Sequence, residues 1–268
     1  MISNQGHKIF YITLKDNERS STYSDYLKSI NLNAKPFYGF DLRGVSDLHK
    51  FNNFSQKRFF DRYGRKPTSS EIGCSLSHHE VIKKSNRNKP IIILEDDALL
   101  KVKTKTFLNV VKLIGNLDKY DILIFGFSKC DETSDHQLNI SNPFLPTKNL
   151  NYLGYSLGER LINSTSGALA YYLSVAAKKK ISFLDEIYHV ADDWNFYSKL
   201  GLKIGYIYPT LVIEDLNQKS TLEHNEGFFR ASRSNNRFIN GYFLIKDYAL
   251  GFIRRLILKF KIKILELL

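Results

Sequence analysis

Pro90-Ile-Ile-Ile-Leu-Glu-Asp-Asp97 is the stretch of the chain that decides its fold. Its apolar residues, Ile91 to Leu94, do not alternate with polar ones, which is typical of a central strand covered on both faces. The run ends abruptly in three carboxylates, Glu95, Asp96 and Asp97. In open α/β sheets the ligand crevice lies beyond the carboxyl ends of the strands, so the stretch predicts an acidic cluster at a ligand-binding edge.

Predicted strands and helices alternate on both sides of this stretch, which favours an α/β fold with a mostly parallel, Rossmann-type sheet flanked by helices. Thr68 and Glu71 have the spacing of a capping box, so a helix should begin there. Residues 41–66 stay unassigned, and residues 131–155, rich in Ser, Asn and Pro, predict a long loop. The other predicted strands lie at 9–14, 36–40, 120–126 and 204–213. The other predicted helices are one that ends at residue 27, one at 105–115, one at 175–180 and one that begins at residue 192.

Three adjacent carboxylates repel one another, and a cation must offset that repulsion if they are held close together. Oxygen ligands suit Mg²⁺ or Mn²⁺, and such an ion can bridge a protein carboxylate to the phosphates of a nucleotide. The alternative is a solvated acidic turn after a buried strand, since carboxylates are mostly exposed. From these residues alone both interpretations remain open.

The charge of the chain is concentrated near its end. Its 268 residues, 43% of them hydrophobic, suffice for a full core, and the formal net charge is +12. Residues 227–268 hold nine basic and two acidic side chains, which is seven of those twelve charges. We therefore expect a main domain at 1–226, a basic tail at 227–268 and an anionic partner for that tail.

The tail has the pattern of a basic amphipathic helix. Its polar face holds Arg255, Lys259, Lys263 and Glu266. Such a helix can bind an anionic membrane surface, although packing on the core or on a second subunit fits too, and residues 259–264 also alternate like an edge strand. The apolar face comprises Leu250, Ile253, Leu256, Ile257, Phe260, Ile264 and Leu267.

The cysteines and the apolar runs bear on localisation. Cys74 and Cys130 are too few for a disulfide framework, which favours a reducing compartment. The apolar run at 9–14 is shorter than a signal-peptide core, and no apolar stretch reaches the length of a membrane span. We expect a cytoplasmic protein.

Glu71-Ile-Gly-Cys-Ser-Leu-Ser-His78, followed by Ile92-Ile-Leu-Glu-Asp-Asp-Ala98, closely resembles the signature of glycosyltransferase family 25, the lipooligosaccharide-type sugar transferases. The resemblance extends over about residues 8–221 in the expected order, which makes it more specific than a single short motif. The other similar segments are Ile12-Thr-Leu14 with Glu18-Arg19, Ser166 to Ser174, Ala191-Asp-Asp-Trp194, Tyr208 to Val212 and Lys219-Ser-Thr221.

The resemblance implies a GT-A-like fold that binds a UDP-sugar, with Mn²⁺ or Mg²⁺ held on the diphosphate by the acidic motif. By analogy with the family, galactose is the preferred sugar and the acceptor is a glycan on a lipid. A lipid-anchored acceptor would place the enzyme at the cytoplasmic face of a bacterial inner membrane. The oligomeric state stays open.

The resemblance also implies roles for individual residues. Asp96 and Asp97 would hold the metal and nucleotide, and Asp193, or Asp192 as the alternative, would take the proton of the acceptor hydroxyl. For both aspartates, N-capping of the helix before Trp194 is an alternative. The nucleotide-sugar candidates are Thr13, Leu14, Arg19, Glu95, Asp96, Ser166 and Gly167, and the acceptor or structural candidates are Ser77 and His78.

Several of these residues could instead have a purely structural role. Arg19 could meet a phosphate or ribose, or it could be an exposed arginine at a helix start. His78 could contact substrate or be a buried histidine with satisfied nitrogens. Glu95 could simply shape the turn.

Two other protein classes fit parts of the pattern. A carboxylate-metal phosphotransferase or nuclease needs further acids converging on the cluster, and only Asp121 and Asp131 lie nearby in sequence. A nucleic-acid binder would explain the charge, but that charge sits in an apolar tail and the aromatic residues are spread as core residues would be. We therefore expect no nucleic-acid partner.

Overall fold

A computed structural model describes most of the chain up to residue 216 and one helix near its end. Lys219 to Thr221, and the tail except for that helix and residue 260, lie outside the described residues. The described residues are 8–15, 17–45, 51, 53–115, 117, 119–128, 138–140, 142–150, 154–163, 165–216, 249–257 and 260.

Strands and helices alternate only in part, because the chain from residue 122 to 173 holds four strands, with residues 138–140 helical between the first two. The strands are β1 (Lys8–Thr13), β2 (Lys35–Tyr38), β3 (Ile91–Glu95), β4 (Ala98–Leu100), β5 (Ile122–Gly126), β6 (Phe144–Leu150), β7 (Tyr155–Arg160), β8 (Ala170–Leu173), β9 (Ile204–Tyr208) and β10 (Val212–Glu214). The helices are α1 (Glu18–Ser29), α2 (Gln56–Tyr63), α3 (Ser69–Lys84), α4 (Thr104–Gly115), α5 (Val175–Ser182) and α6 (Trp194–Lys199).

Eight of the described strands form one sheet in the order β2-β1-β3-β8-β5-β9-β7-β6, and β10 pairs with β4 in a small second sheet. Six strands of the large sheet run in one direction, whereas β8 and β7 run against their neighbours. The prediction of a mostly parallel sheet therefore holds for the direction of most strands. The neighbouring pairs are nevertheless mixed, because only β1–β2, β1–β3 and β5–β9 are parallel.

β3 lies in the middle of the core, as its continuous apolar run predicted. Ile91 to Leu94 are each 0% exposed. Ile92 and Leu94 face a cluster built with α1 and α4, while Ile91 and Ile93 face a cluster built with α3, α5 and α6. Helices thus cover both faces of the strand, and its carboxyl end becomes partly exposed at Glu95.

Three segments differ from their predictions. α2 lies within the unassigned residues 41–66, and β6 lies within the predicted loop at 131–155. The single strand expected at 204–213 is two strands in different sheets, with Pro209 between them. Proline cannot donate a ladder hydrogen bond, so the chain leaves the large sheet after Tyr208.

A helix at 249–257 packs against the segment at 138–140. A Cβ atom on Gly251 would lie 1.7 Å from the carbonyl oxygen of Ile140, so the close approach requires glycine. Arg255 donates to the carbonyl oxygen of Asn139 at 3.3 Å. Within the described residues, no helix has the length and apolar character needed to cross a bilayer.

Candidate active site

The acidic cluster lies where β1, β3 and α1 meet. β1 and β3 are parallel neighbours with Ile12 opposite Glu95, so the next residues, Thr13 and Asp96, also come together. The Thr13 hydroxyl donates to Asp96 Oδ2 at 2.7 Å. From the first turn of α1, Arg19 Nη2 donates to Asp96 Oδ1 at 2.6 Å and to Asp97 Oδ2 at 3.1 Å. The structure thus brings two predicted residues near the start of the chain, Thr13 and Arg19, to the predicted Asp96–Asp97 pair.

The Arg19 guanidinium pairs with two carboxylates, Asp96 and Asp97, and the charge of Glu95 acts on both of them. Burial, followed by the charge of Glu95, raises the pKa of Asp97 to about 7, against the lowering effect of Arg19. Burial also raises the pKa of Asp96, which Arg19 and the Thr13 hydroxyl oppose. Arg19 therefore compensates only part of the negative charge.

The acidic residues fit a hard divalent cation. Asp97 Oδ1 is buried without a hydrogen-bond partner among the described residues, although buried carboxylate oxygens are normally satisfied. The backbone oxygen of Asp97 accepts from the Asp215 amide at 2.7 Å, which ties the turn to the end of β10. The carboxylate oxygens of Asp96 and Asp97 are thus held in place, and they are ligand atoms of the kind that Mg²⁺ and Mn²⁺ prefer.

Glu95 points to the α3 side of the sheet. His78, which is 2% exposed, places Nε2 at 3.2 Å from Glu95 Oε1 and Nδ1 at 2.7 Å from the hydroxyl of Tyr171. Both ring nitrogens have partners within the protein, which is what the structural alternative to a substrate contact expects. Tyr171 lies in the Ser166 to Ser174 segment that resembles the family, but the sequence alone predicted no role for it.

Ser77 is also structural. Its hydroxyl donates to the Gly73 carbonyl oxygen at 2.6 Å and accepts from the Phe40 amide at 2.8 Å. Because Ser77 is buried, these bonds fix the chain that leaves β2 against α3.

The Ser166–Gly167 segment holds Asp192. The Gly167 amide donates to Asp192 Oδ2, and the Ser166 carbonyl oxygen accepts from the Ser128 amide at 2.7 Å. Gly167 has φ +85°, and a Cβ there would lie 1.8 Å from Ser128 Oγ, so glycine is required. Burial raises the pKa of Asp192, an effect that the Gly167 amide opposes and the charge of Glu95 reinforces.

The Asp193 carboxylate accepts hydrogen bonds from two helices, α6 and α2. Its Oδ1 accepts from the Phe196 amide at 2.9 Å, which makes Asp193 the N-cap of α6. Its Oδ2 accepts from Arg62 Nε at 2.7 Å and from the Tyr63 hydroxyl. The N-capping alternative is therefore confirmed for Asp193. Sequence analysis missed Arg62 and Tyr63, because the segment that contains α2 gave no helical signal.

A cavity of about 650 Å³ opens between α1 and the edge strand β2. Its lining includes Lys15, Asn17 and Tyr38. Asn17 is the N-cap of α1, two residues before Arg19, but the residues of the acidic cluster are not part of the cavity lining. Leu14, a predicted nucleotide contact, is half-buried directly after β1.

The fold is that of an α/β protein, and its buried carboxylate cluster lies beyond the carboxyl ends of the strands, where open α/β sheets carry their ligand sites. A model of glycosyltransferase family 25, described as LPS biosynthesis protein, matches residues 6–196. The chain belongs to glycosyltransferase family 25. It is accordingly a transferase that uses a sugar donor and a glycan acceptor.

Solved structures include a similar chain from Bacillus anthracis, provisionally described as a glucose-1-phosphate thymidylyltransferase in complex with a sucrose. It shares 11% identity with this chain and has a TM-score of 0.36, with 75% of this chain and 85% of that chain covered. This similarity is too low to support an inference about function. None of the curated proteins matched the chain.

Proposed function

We propose that the protein transfers a hexose, preferably galactose, from a UDP-sugar to a lipooligosaccharide-type glycan, with Mn²⁺ or Mg²⁺ held by Asp96 and Asp97. The observation that carries the proposal is the buried Asp97 Oδ1, which has no hydrogen-bond partner among the described residues. A divalent cation would stabilise a carboxylate in that position, and the diphosphate of a nucleotide would supply further oxygen ligands to that cation.

The residues of the acidic cluster bind and orient the donor. Thr13 and Arg19 fix both oxygens of Asp96, so its carboxylate is held in one orientation before substrate arrives. Arg19 can also turn its donors toward the diphosphate. A bound divalent cation supplies positive charge to the leaving diphosphate.

The transfer breaks the bond between the anomeric carbon and the UDP oxygen and forms a bond from that carbon to the acceptor oxygen. The acceptor proton passes to a carboxylate, and Asp192 is the better candidate for this base. Its raised pKa favours uptake of a proton, whereas both oxygens of Asp193 accept hydrogen bonds within the protein.

The cavity between α1 and β2 suits the nucleoside end of the donor. Its volume of about 650 Å³ lies in the range of small-molecule sites, roughly 300–1,000 Å³. Tyr38, 54% exposed, offers a ring for stacking, and Asn17 offers polar atoms.

The helix at 249–257 is the proposed contact with an anionic membrane at the cytoplasmic face. Phe252 and Ile257 are 65% and 50% exposed, and Arg255 lies on the same helix. An exposed apolar surface beside basic residues favours the interface of an anionic bilayer, where a lipid-linked acceptor would be found.

A donor screen tests the proposal. The full-length protein is incubated with a panel of UDP-sugars and Mn²⁺ and a glycan acceptor, with and without EDTA, and UDP release is followed. We expect the fastest release from UDP-galactose and a loss of release in EDTA. Equal release in EDTA, or release from no UDP-sugar, would contradict the proposal.

A further inference from the structure

Three side chains with different ligand atoms meet on the α3 side of β3. Cys74 and His78 lie one turn apart on the same face of α3, and Glu95 ends β3. The Cys74 sulfur, a His78 ring nitrogen and a Glu95 carboxylate oxygen all lie within 4.8 Å of one another. Of these atoms, His78 Nε2 and Glu95 Oε1 are within hydrogen-bonding distance, at 3.2 Å.

Tyr171 orients the histidine of this cluster. Its hydroxyl lies 2.7 Å from His78 Nδ1, and the two rings are stacked with centroids 5.7 Å apart. A partner on Nδ1 leaves Nε2 facing Glu95. Metal-binding histidines usually have such a partner on the second nitrogen, which fixes the ring and its tautomer.

The surroundings of Cys74 are negatively charged. Burial, followed by the charges of Glu95, Asp192 and Asp97, raises the pKa of the Cys74 thiol. These carboxylates favour entry of a cation, and a coordinating metal overrides the effect of burial because it binds the thiolate directly.

We propose that Cys74, His78 and Glu95 form a Zn²⁺ site, distinct from the all-oxygen pair of Asp96 and Asp97. Sulfur, nitrogen and oxygen ligands together suit Zn²⁺, which accepts three protein ligands and one solvent ligand, whereas Mg²⁺ and Mn²⁺ prefer oxygen. On binding, the S–H bond of Cys74 breaks, a sulfur–zinc bond forms, and one proton leaves to solvent.

The site does not depend on the proposed sugar donor. A Zn²⁺ ion there compensates the charge of Glu95 and ties α3 to the end of β3. The Asp96–Asp97 pair directly follows β3, so the ion would also fix the position of the neighbouring acidic cluster relative to α3.

Co²⁺ titration of the full-length, metal-free protein tests this site without any nucleotide. Thiolate coordination to Co²⁺ gives a near-ultraviolet charge-transfer band. We expect this band to saturate at one equivalent, to disappear when Zn²⁺ is added and to persist when Mn²⁺ is added. Absence of the band in the wild-type protein would overturn the proposal.

Matched variants assign the band to its ligands. The chain has two cysteines, so persistence of the band in Cys130→Ser leaves Cys74 as the thiolate even if Cys74→Ser does not fold. His78→Gln should abolish the band, while His79→Gln should keep it, because His79 Nε2 faces the Ile181 carbonyl oxygen. Loss of the band in Cys130→Ser, or its survival in a folded Cys74→Ser, would refute the site.

Tyr171→Phe separates a metal site from a hydrogen-bonded cluster. It removes only the partner of His78 Nδ1, so we expect Co²⁺ affinity to fall by about 10- to 100-fold while the band keeps its position. An unchanged affinity would mean that Tyr171 orients no metal-bound histidine.

Discussion

Asp97 combines three features that bear on metal binding. It is buried, it follows the charged Glu95 by two residues, and it pairs with Arg19 at 3.1 Å. Its pKa of about 7 means that the folded protein holds this carboxylate partly protonated at neutral pH in the absence of a cation. A bound cation would shift it to the ionised form.

The raised pKa of Asp97 predicts how stability depends on pH. The folded protein binds this proton more tightly than the unfolded chain, whose pKa is near 3.8, so ionisation of Asp97 lowers the free energy of unfolding as pH rises between these values. We expect Asp97→Asn to raise the free energy of unfolding of the metal-free protein by on the order of 1–3 kcal/mol at about pH 8, with no gain near pH 4. Chemical denaturation at both pH values measures this.

The control for that experiment is Asp25→Asn, which changes an exposed carboxylate paired with Lys28 on α1. Its effect should be small at either pH, because exposed ion pairs contribute little. A lower stability of Asp97→Asn at about pH 8 would contradict the proposed cost of burying this charge.

The neighbouring aspartates should differ in kinetics. Asp192→Asn is expected to lower kcat by about 100- to 10,000-fold, the usual contribution of a general base. Asp193→Asn should keep most of the turnover but lower the Tm, because an asparagine still caps α6 while the charge partner of Arg62 is lost. If a folded Asp193→Asn loses turnover and Asp192→Asn retains it, the assignment of the base is reversed.

At the scale of elements, local signals were sufficient where they are strong. The capping box of Thr68 and Glu71 begins α3 as predicted, and the unbroken apolar run of β3 lies between two core clusters. Both signals depend on residues close in sequence, so a single sequence reveals them.

α3 gives a test of its predicted start. Thr68 accepts from the Glu71 amide at 3.1 Å, and Glu71 accepts from the Thr68 amide at 2.9 Å. Thr68→Ala should destabilise the protein by about 1 kcal/mol. Ser55→Ala is the matched control, because Ser55 is the N-cap of α2 without a side-chain cap bond and its loss should have little effect. Equal Tm changes in the two variants would rule out a stabilising role for the capping box.

Elements with weak local signals could not be predicted. α2 has only eight residues, about two helical turns, and buries only Phe59, so its pattern is too short to identify a helix from the sequence. β6 pairs with β7 at the edge of the sheet, where one strand face can remain polar. The contacts of Arg19 with Asp96, of His78 with Tyr171 and of Arg62 with Asp193 join residues 77, 93 and 131 positions apart, which no local pattern reports.

At the scale of the whole molecule, the basic charge and the exposed apolar residues coincide in the last part of the chain. The helix at 249–257 contacts the body through Gly251 and Arg255 and leaves Phe252 and Ile257 exposed. The two interpretations of the tail, packing on the core and binding a membrane, are therefore compatible on different faces of one helix.

Vesicle sedimentation tests the membrane contact. We expect the full-length protein to pellet with anionic vesicles, less so with neutral vesicles and less so at high salt. Phe252→Asp with Ile257→Asp should lower the bound fraction by at least about tenfold, since it places charge on the inserted face. Phe183→Asp, which changes a 73% exposed residue at the end of α5, should have no effect. Equal loss in both variants would contradict a specific membrane face.

Calorimetric titration of UDP into the wild-type protein and Asp97→Asn, each with Mn²⁺ and with EDTA, tests the metal-bound nucleotide most directly. We predict that Mn²⁺ tightens UDP binding to the wild-type protein by at least about tenfold, or ~1.4 kcal/mol, and that Asp97→Asn loses this gain. An affinity for UDP that Mn²⁺ does not change, or the same gain in affinity in Asp97→Asn as in the wild-type protein, would contradict a cation held between the carboxylates and the diphosphate.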